Sequence, residues 1–176
     1  MSIPQLGFYK NHPLVMDPEK STEFAACFDI RAFFYHKEEL LSYTRTNHKT
    51  TTLVNYDAAS DEYFFTIEPF ARVLVPTELI FDIPVGYSMR FHPRSGMGLK
   101  QALILGNCEG VIDADYIDPS CVILLNNSDE AQIIKHNDRI CQAEMVIDLE
   151  YTMKEIETPP GQKSSRLGGF GSSGKQ

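Results

Sequence analysis

Tyr87-Ser88-Met89-Arg90-Phe91-His92, followed at once by Pro93-Arg94-Ser95-Gly96, is the stretch that decides the fold. Tyr87, Met89 and Phe91 alternate with Ser88, Arg90 and His92. Successive side chains of a strand point to opposite faces, so a period of two describes a half-buried strand. The same period runs through Phe24, Ala26, Phe28, Ile30, Ala32 and Phe34 and predicts a second strand. Short apolar runs follow at residues 71–75, 102–105, 121–125, 133–134 and 140–147. Turn signals separate them: Glu68-Pro69, Pro84-Val85-Gly86, Gly106-Asn107, Asp118-Pro119-Ser120 and Asn126-Asn127-Ser128-Asp129. Many short strands with regular punctuation predict an all-β sandwich or closed barrel. One short helical turn is expected around residues 96–101. Residues about 36–62 are polar, Thr-rich and poor in pattern, and read as an inserted hairpin or loop. Thr158-Pro159-Pro160-Gly161 marks the end of the globular body, giving a β domain over 1–157 and a Gly-rich C-terminal arm over 158–176.

Composition narrows the function. At 176 residues and 43% apolar residues the chain is read as one domain with a real core. The formal charge of −8, with no basic stripe, argues against direct nucleic-acid binding. A polyanionic substrate would need a divalent cation to mediate, because local basic residues are few. No run of about 18 apolar residues exists, so no transmembrane helix and no membrane partner are expected. Met1-Ser2-Ile3-Pro4-Gln5 lacks the basic and apolar regions of a leader, so a cytoplasmic location is expected. Cys27, Cys108, Cys121 and Cys141 show no C-x-x-C spacing and no His at ligand spacing. They read as small hydrophobes in a reducing compartment.

Several segments carry chemistry. Pro93-Arg94-Ser95-Gly96 offers a guanidinium, a hydroxyl and N–H groups at a helix start, which together suit an anion. Residues 106–116, Gly106-Asn107-Cys108-Glu109-Gly110-Val111-Ile112-Asp113-Ala114-Asp115-Tyr116, look like a hairpin whose two glycines let backbone groups approach a ligand. Asp113 and Asp115 share a face at period two, beside Tyr116. Such a pair binds a metal, supplies a base or is merely a solvated strand end. Asn137-Asp138-Arg139-Ile140-Cys141-Gln142 opens the last long strand. Asp29 sits among apolar residues, where an acid needs a reason to be. The tail holds five of the eleven glycines in its final sixteen positions. Gly loses much backbone entropy on ordering, so this tail reads either as a frayed terminus or as a segment that wraps a ligand. In the second case its N–H groups and the basic side chains of Arg166 and Lys175 meet phosphates, and Phe170 lies on a base.

In this order the segments resemble the five motifs of the homotrimeric dUTP pyrophosphatases (dUTPases). Ala25-Ala26-Cys27-Phe28-Asp29-Ile30 resembles the first and Pro93-Arg94-Ser95-Gly96 the second. Residues 106–116 are similar to the third, Asp138-Arg139-Ile140-Cys141-Gln142 to the fourth, and residues 166–174 to the Gly-rich fifth. The resemblance implies an all-β, jelly-roll-like dUTPase (β-clip) fold with a flexible C-terminal arm. It implies hydrolysis of dUTP to dUMP and pyrophosphate with Mg2+, by in-line attack of water on the α-phosphorus. Asp113 resembles the acid that orients and deprotonates that water. Asn107, with backbone groups around Gly110, matches the uracil-holding positions, and Tyr116 the ring packed under deoxyribose. Arg94, Ser95, Gly96 and Gln142 match positions that contact or order phosphates. Asp29 matches the acid that reaches Mg2+ through coordinated water. Arg166, Phe170, Gly171 and Ser172 match the arm, which in the family completes a site on a neighbouring subunit of a homotrimer.

Two departures stand out. Cys27 replaces the usual Gly of the first motif, and Arg166-Leu167-Gly168-Gly169-Phe170 is one residue shorter than the usual Arg-Gly-x-Gly-Gly-Phe. Asp115 is read as structural or water-ordering. Two rival readings stand beside the dUTPase: a dCTP deaminase or bifunctional deaminase–pyrophosphatase, and a regulatory protein that docks a protein partner through residues 36–62.

Overall fold

Residues 3–165 are described by the structure, a computed structural model. In chain order they form β1 (Gly7–Lys10), β2 (Phe28–Arg31), β3 (Glu39–Tyr43), β4 (Lys49–Leu53), β5 (Asn55–Asp57), β6 (Glu62–Ile67), β7 (Arg72–Pro76), β8 (Leu79–Asp82), β9 (Tyr87–His92), α1 (Ser95–Gln101), β10 (Leu103–Leu105), β11 (Gly110–Ile112), β12 (Cys121–Asn126), β13 (Gln132–Lys135) and β14 (Arg139–Ile147). The all-β expectation holds. One sheet runs β10-β12-β7-β3-β4 and a second β11-β9-β14-β2; smaller sheets run β13-β6-β5 and β1-β8. The strand pairings are antiparallel. A single core joins the sheets. Met89 and Phe91 enter it from β9, Val73 and Val75 from β7, Val122 and Leu124 from β12, and Phe65 and Ile67 from β6. Burying each such side chain contributes about 1.5–3 kcal/mol. α1 starts at Ser95 and ends at Gln101, and the next residue, Ala102, whose φ is 51°, turns the chain into β10.

The second alternation is only partly a strand. Regular pairing is confined to Phe28–Arg31, and Phe24 is 91% exposed. Upstream, a turn closes from Ala25 N–H to Thr22 O, so the period of two before Phe28 is accidental. Downstream, Ala32, Phe33 and Phe34 are buried, but their N–H groups find Asp138 O, Pro76 O and the His136 ring in turn. Three unrelated acceptors make a crossing segment, not a ladder.

Residues 36–62 differ more. A hairpin is present, β3 with β4, but it is not a separable insertion. β3 also pairs with β7, Ser42 facing Val73 and Tyr43 facing Arg72. Leu40, Ser42 and Val54 are buried. The segment is therefore part of the body. At the other end the last strand stops at Ile147, and residues 148–165 contain neither strand nor helix.

Candidate active site

The 106–116 segment is not a ladder-paired hairpin. β10 pairs with β12 in one sheet, and β11 pairs with β9 in another. The turn between them spans the two sheets and is pinned at both ends by glycines. Gly106 N–H donates to Ile123 O at 2.8 Å, and a Cβ on Gly106 would lie 2.7 Å from Ile123 Cγ2. Gly110 pairs with Phe91, and a Cβ there would lie 2.9 Å from Phe91 Cβ. These glycines admit a close approach of the turn to the body, not only of a ligand to the turn. Cys108, at the bend, has φ 64°.

Beside this turn lies a cleft of about 310 Å³, lined by Asn107, Gly110, Tyr116, Cys121, Ile123 and Phe91 among others. Its volume lies at the lower end of small-molecule sites and suits a nucleoside. Three of the expected base and sugar residues thus share one cavity. Asp113 follows β11 directly, and Tyr116 N–H closes a turn onto Asp113 O at 3.1 Å. That turn breaks the period of two, so Asp113 and Asp115 do not share a strand face. Both are exposed. Among the described residues the Asp113 carboxylate has no ion pair and no hydrogen bond. Tyr116 Oη lies 3.4 Å from Pro119 O, and burial pushes its hydroxyl pKa up, with Cys121 and Asp118 adding to the rise. Burial likewise pushes the Cys121 thiol up.

A second cluster gathers where β9, β14 and β2 meet. Arg94 Nε donates to Asp29 Oδ1 at 2.9 Å and Arg139 Nη1 to Asp29 Oδ2 at 3.0 Å. Gln142 faces Asp29 on one side and His92 on the other in the strand register, and its Nε2 donates to Pro93 O at 3.3 Å. The reason for an acid at Asp29 is therefore two guanidinium groups. Ser95 is exposed at the first position of α1, with no side chain capping the helix start, and a Cβ on Gly96 would meet only open space. None of Arg94, Ser95, Gly96 and Gln142 lines the nucleoside-sized cleft. Arg166, Phe170, Gly171 and Ser172 lie outside the described residues.

No group of three His, Cys, Asp or Glu among the described residues could hold a metal ion. Both Asp29 oxygens already accept a guanidinium, leaving one lone pair on each. That donor set fits an ion brought by a substrate's phosphates and touched by Asp29 only through coordinated water.

The sequence reading did not single out Arg139, Cys121, His92 or Glu109. Arg139 stood inside a quoted motif, but its partner is 110 residues away. His92 carried a signal as the last polar position of an alternating strand; nothing local pointed to its carboxylate neighbours.

The arrangement is that of an all-β protein with a nucleoside-sized cleft and an arginine–carboxylate cluster beside a short helix. The dUTPase family pattern matches residues 41–174, and the chain belongs to the dUTPase family. The match takes in most of the 36–62 segment. The chain is 40% identical over 109 residues to the deoxyuridine 5'-triphosphate nucleotidohydrolase of Dinoroseobacter shibae, covering 62% of this chain and 70% of that one. In fold it is similar to a variant of the Staphylococcus bacteriophage 80alpha dUTPase solved with dUpNHpp, with a TM-score of 0.70, 20% identity, and coverage of 98% and 99% of the two chains. It is also similar to a variant dUTPase from phage phi11 of S. aureus whose structure shows coordination of a structural Mg(II) ion, with a TM-score of 0.66, 17% identity, and coverage of 90% and 100%.

Proposed function

We propose that this chain hydrolyses dUTP to dUMP and pyrophosphate, with Asp113 as the general base. The observation that carries this reading is one cleft lined by Asn107, Gly110 and Tyr116, near Asp113, whose carboxylate has no partner among the described residues, in a dUTPase-family chain. Asn107 and the backbone of the turn read uracil by its donor and acceptor pattern. The tight turn leaves no room for the 5-methyl of thymine, a rejection worth about 1–3 kcal/mol. Tyr116 packs under deoxyribose and clashes with a 2′-hydroxyl. Asp113 takes a proton from water as its oxygen bonds to the α-phosphorus; the bond to the bridging oxygen breaks, and pyrophosphate leaves with that oxygen. Arg94, Ser95, Gly96 and Gln142 hold or order the phosphates, with Asp29 fixing Arg94. Mg2+ bound to the triphosphate would screen its negative charge, with Asp29 reaching it through water. The phosphate residues do not line the base cleft of their own chain, which supports a site completed between subunits of a homotrimer. Arg166, Phe170, Gly171 and Ser172 of the arm close that site. A deaminase is not favoured, and no observation favours docking of a protein through residues 36–62.

The test is release of pyrophosphate from dUTP, dCTP, dTTP and UTP with Mg2+, with ammonia measured in parallel. Pyrophosphate from dUTP, with no ammonia from dCTP, is expected. Asp113→Asn lowers kcat by about 10²-fold or more while dUTP still binds. No pyrophosphate from dUTP overturns the function, and near wild-type turnover in the variant overturns the base.

A further inference from the structure

The turn that carries Asn107 is anchored at Gly106 and Gly110 and closed by backbone bonds from Cys108 N–H to Leu105 O at 3.0 Å and from Glu109 N–H to Asn107 O at 2.7 Å; a side-chain tie to the body adds to these. Asn107 and Cys108 make no side-chain hydrogen bond among the described residues. Glu109 does reach the body: its Oε1 lies 3.6 Å from His92 Nδ1, an ion-pair distance. The other ring nitrogen of His92, Nε2, lies 3.2 Å from Glu144 Oε1 on β14. His92 is 27% exposed, against 49% for Glu109 and 36% for Glu144. One imidazole therefore stands between two carboxylates from two different elements.

The place of His92 in the chain gives the contact its consequence. It is the last residue of β9, and Pro93, Arg94 and Ser95 follow directly. Pro93 O is held by Gln142, and Arg94 by Asp29. His92 thus joins the turn expected to read the base to the segment expected to hold phosphate. We propose that His92 is a positioning residue that fixes the 106–110 turn through Glu109 while Glu144 fixes its own ring. The inference rests on the dUTPase reading above. His92 touches no reacting atom in this account. It sets where Asn107 stands, so its loss weakens nucleotide binding more than it slows the chemical step. Partly exposed ion pairs add little to folding stability, so its effect is read in the site.

The experiment measures steady-state hydrolysis of dUTP by the full chain carrying His92→Leu, Glu109→Gln or His92→Asn. His92→Leu and Glu109→Gln each raise KM for dUTP about fivefold or more, with kcat within about twofold of wild type. His92→Asn, whose amide nitrogen stands near the place of Nδ1 and can face Glu109 as a donor, keeps KM within about twofold of wild type. Glu109 lies in an exposed turn, so its variant reports even if His92→Leu does not fold. Unchanged KM in Glu109→Gln, a loss in kcat as large as the rise in KM, or no rescue by His92→Asn overturns the proposal. Wild-type protein inactive on dUTP removes the functional reading and this inference with it. Active wild type with unaffected variants removes the role of His92 alone.

Discussion

Gly106 has no room for a side chain, because Ile123 Cγ2 would lie 2.7 Å from its Cβ. The obstacle is the side chain of a residue on β12, so the steric cause can be isolated. Gly106→Ala pushes the turn away from Ile123 and displaces Asn107. Misplacing a binding group by a fraction of an ångström weakens recognition, so KM for dUTP rises about tenfold. Ile123→Ala removes Cγ2 and leaves space for the new methyl. The pair Gly106→Ala with Ile123→Ala therefore recovers most of the KM lost in Gly106→Ala, a coupling that a double-mutant cycle measures. Additive effects of the two substitutions would show that the glycine serves another purpose. At the same scale Asp29 and Arg139 illustrate the limit of reading residues in a line. A carboxylate among apolar residues announced that it needed a partner, and the partners are Arg94 and Arg139, 65 and 110 residues away.

β3 corrects the reading of residues 36–62 and carries its own prediction. Its burial alternates, with Leu40 and Ser42 inward, and it sits between β7 and β4. Replacing residues 38–61 by a short Gly/Ser link removes β3, β4 and β5 and the buried Leu40 and Val54 together. No folded protein is expected from that replacement, whereas an inserted loop could be removed at little cost. The milder Leu40→Ala costs about 2–5 kcal/mol by urea unfolding, as for a buried leucine. A folded, active deletion variant would return the segment to the status of an insertion. The sequence announced β9, β7, β12 and β14, because each strand either alternates cleanly or is a short apolar run between turn residues. It left β3 and β4 as an inserted hairpin or loop and hid their place in the body, since β4 is mostly exposed at a sheet edge and its Lys49-Thr50-Thr51-Thr52 carries no apolar face. It suggested a strand over residues 24–34, where exposed turn residues kept the same period by chance. The gathering of Asn107, Gly110 and Tyr116 in one cleft was legible because one short segment holds them. The pairing of β10 and β11 with different sheets was not, because hydrogen-bond partners distant in sequence decide it.

At the scale of the whole molecule, the described chain keeps its two chemical clusters in separate places. Asn107, Gly110 and Tyr116 line the cleft; Arg94, Asp29, Arg139 and Gln142 gather at the meeting of β9, β14 and β2. No helix among the described residues is long and apolar enough to cross a membrane. The proposed homotrimer, in which residues 158–176 of one subunit close a site on another, would join the two clusters across subunits. Complementation between two defective chains tests it. A chain ended at Pro160 keeps every described strand, so it folds and assembles but has little activity. Asp113→Asn keeps the arm and lacks the base, so it too is nearly inactive. Coexpression of the two forms mixed trimers. If arms cross between subunits, some sites take an intact body from the shortened chain and an intact arm from the substituted one. Those sites hydrolyse dUTP, and the mixture releases pyrophosphate well above either parent. If each arm serves its own subunit, every site lacks either the arm or the base. Mixed trimers, verified by two affinity tags and still as inactive as their parents, would refute the exchange of arms.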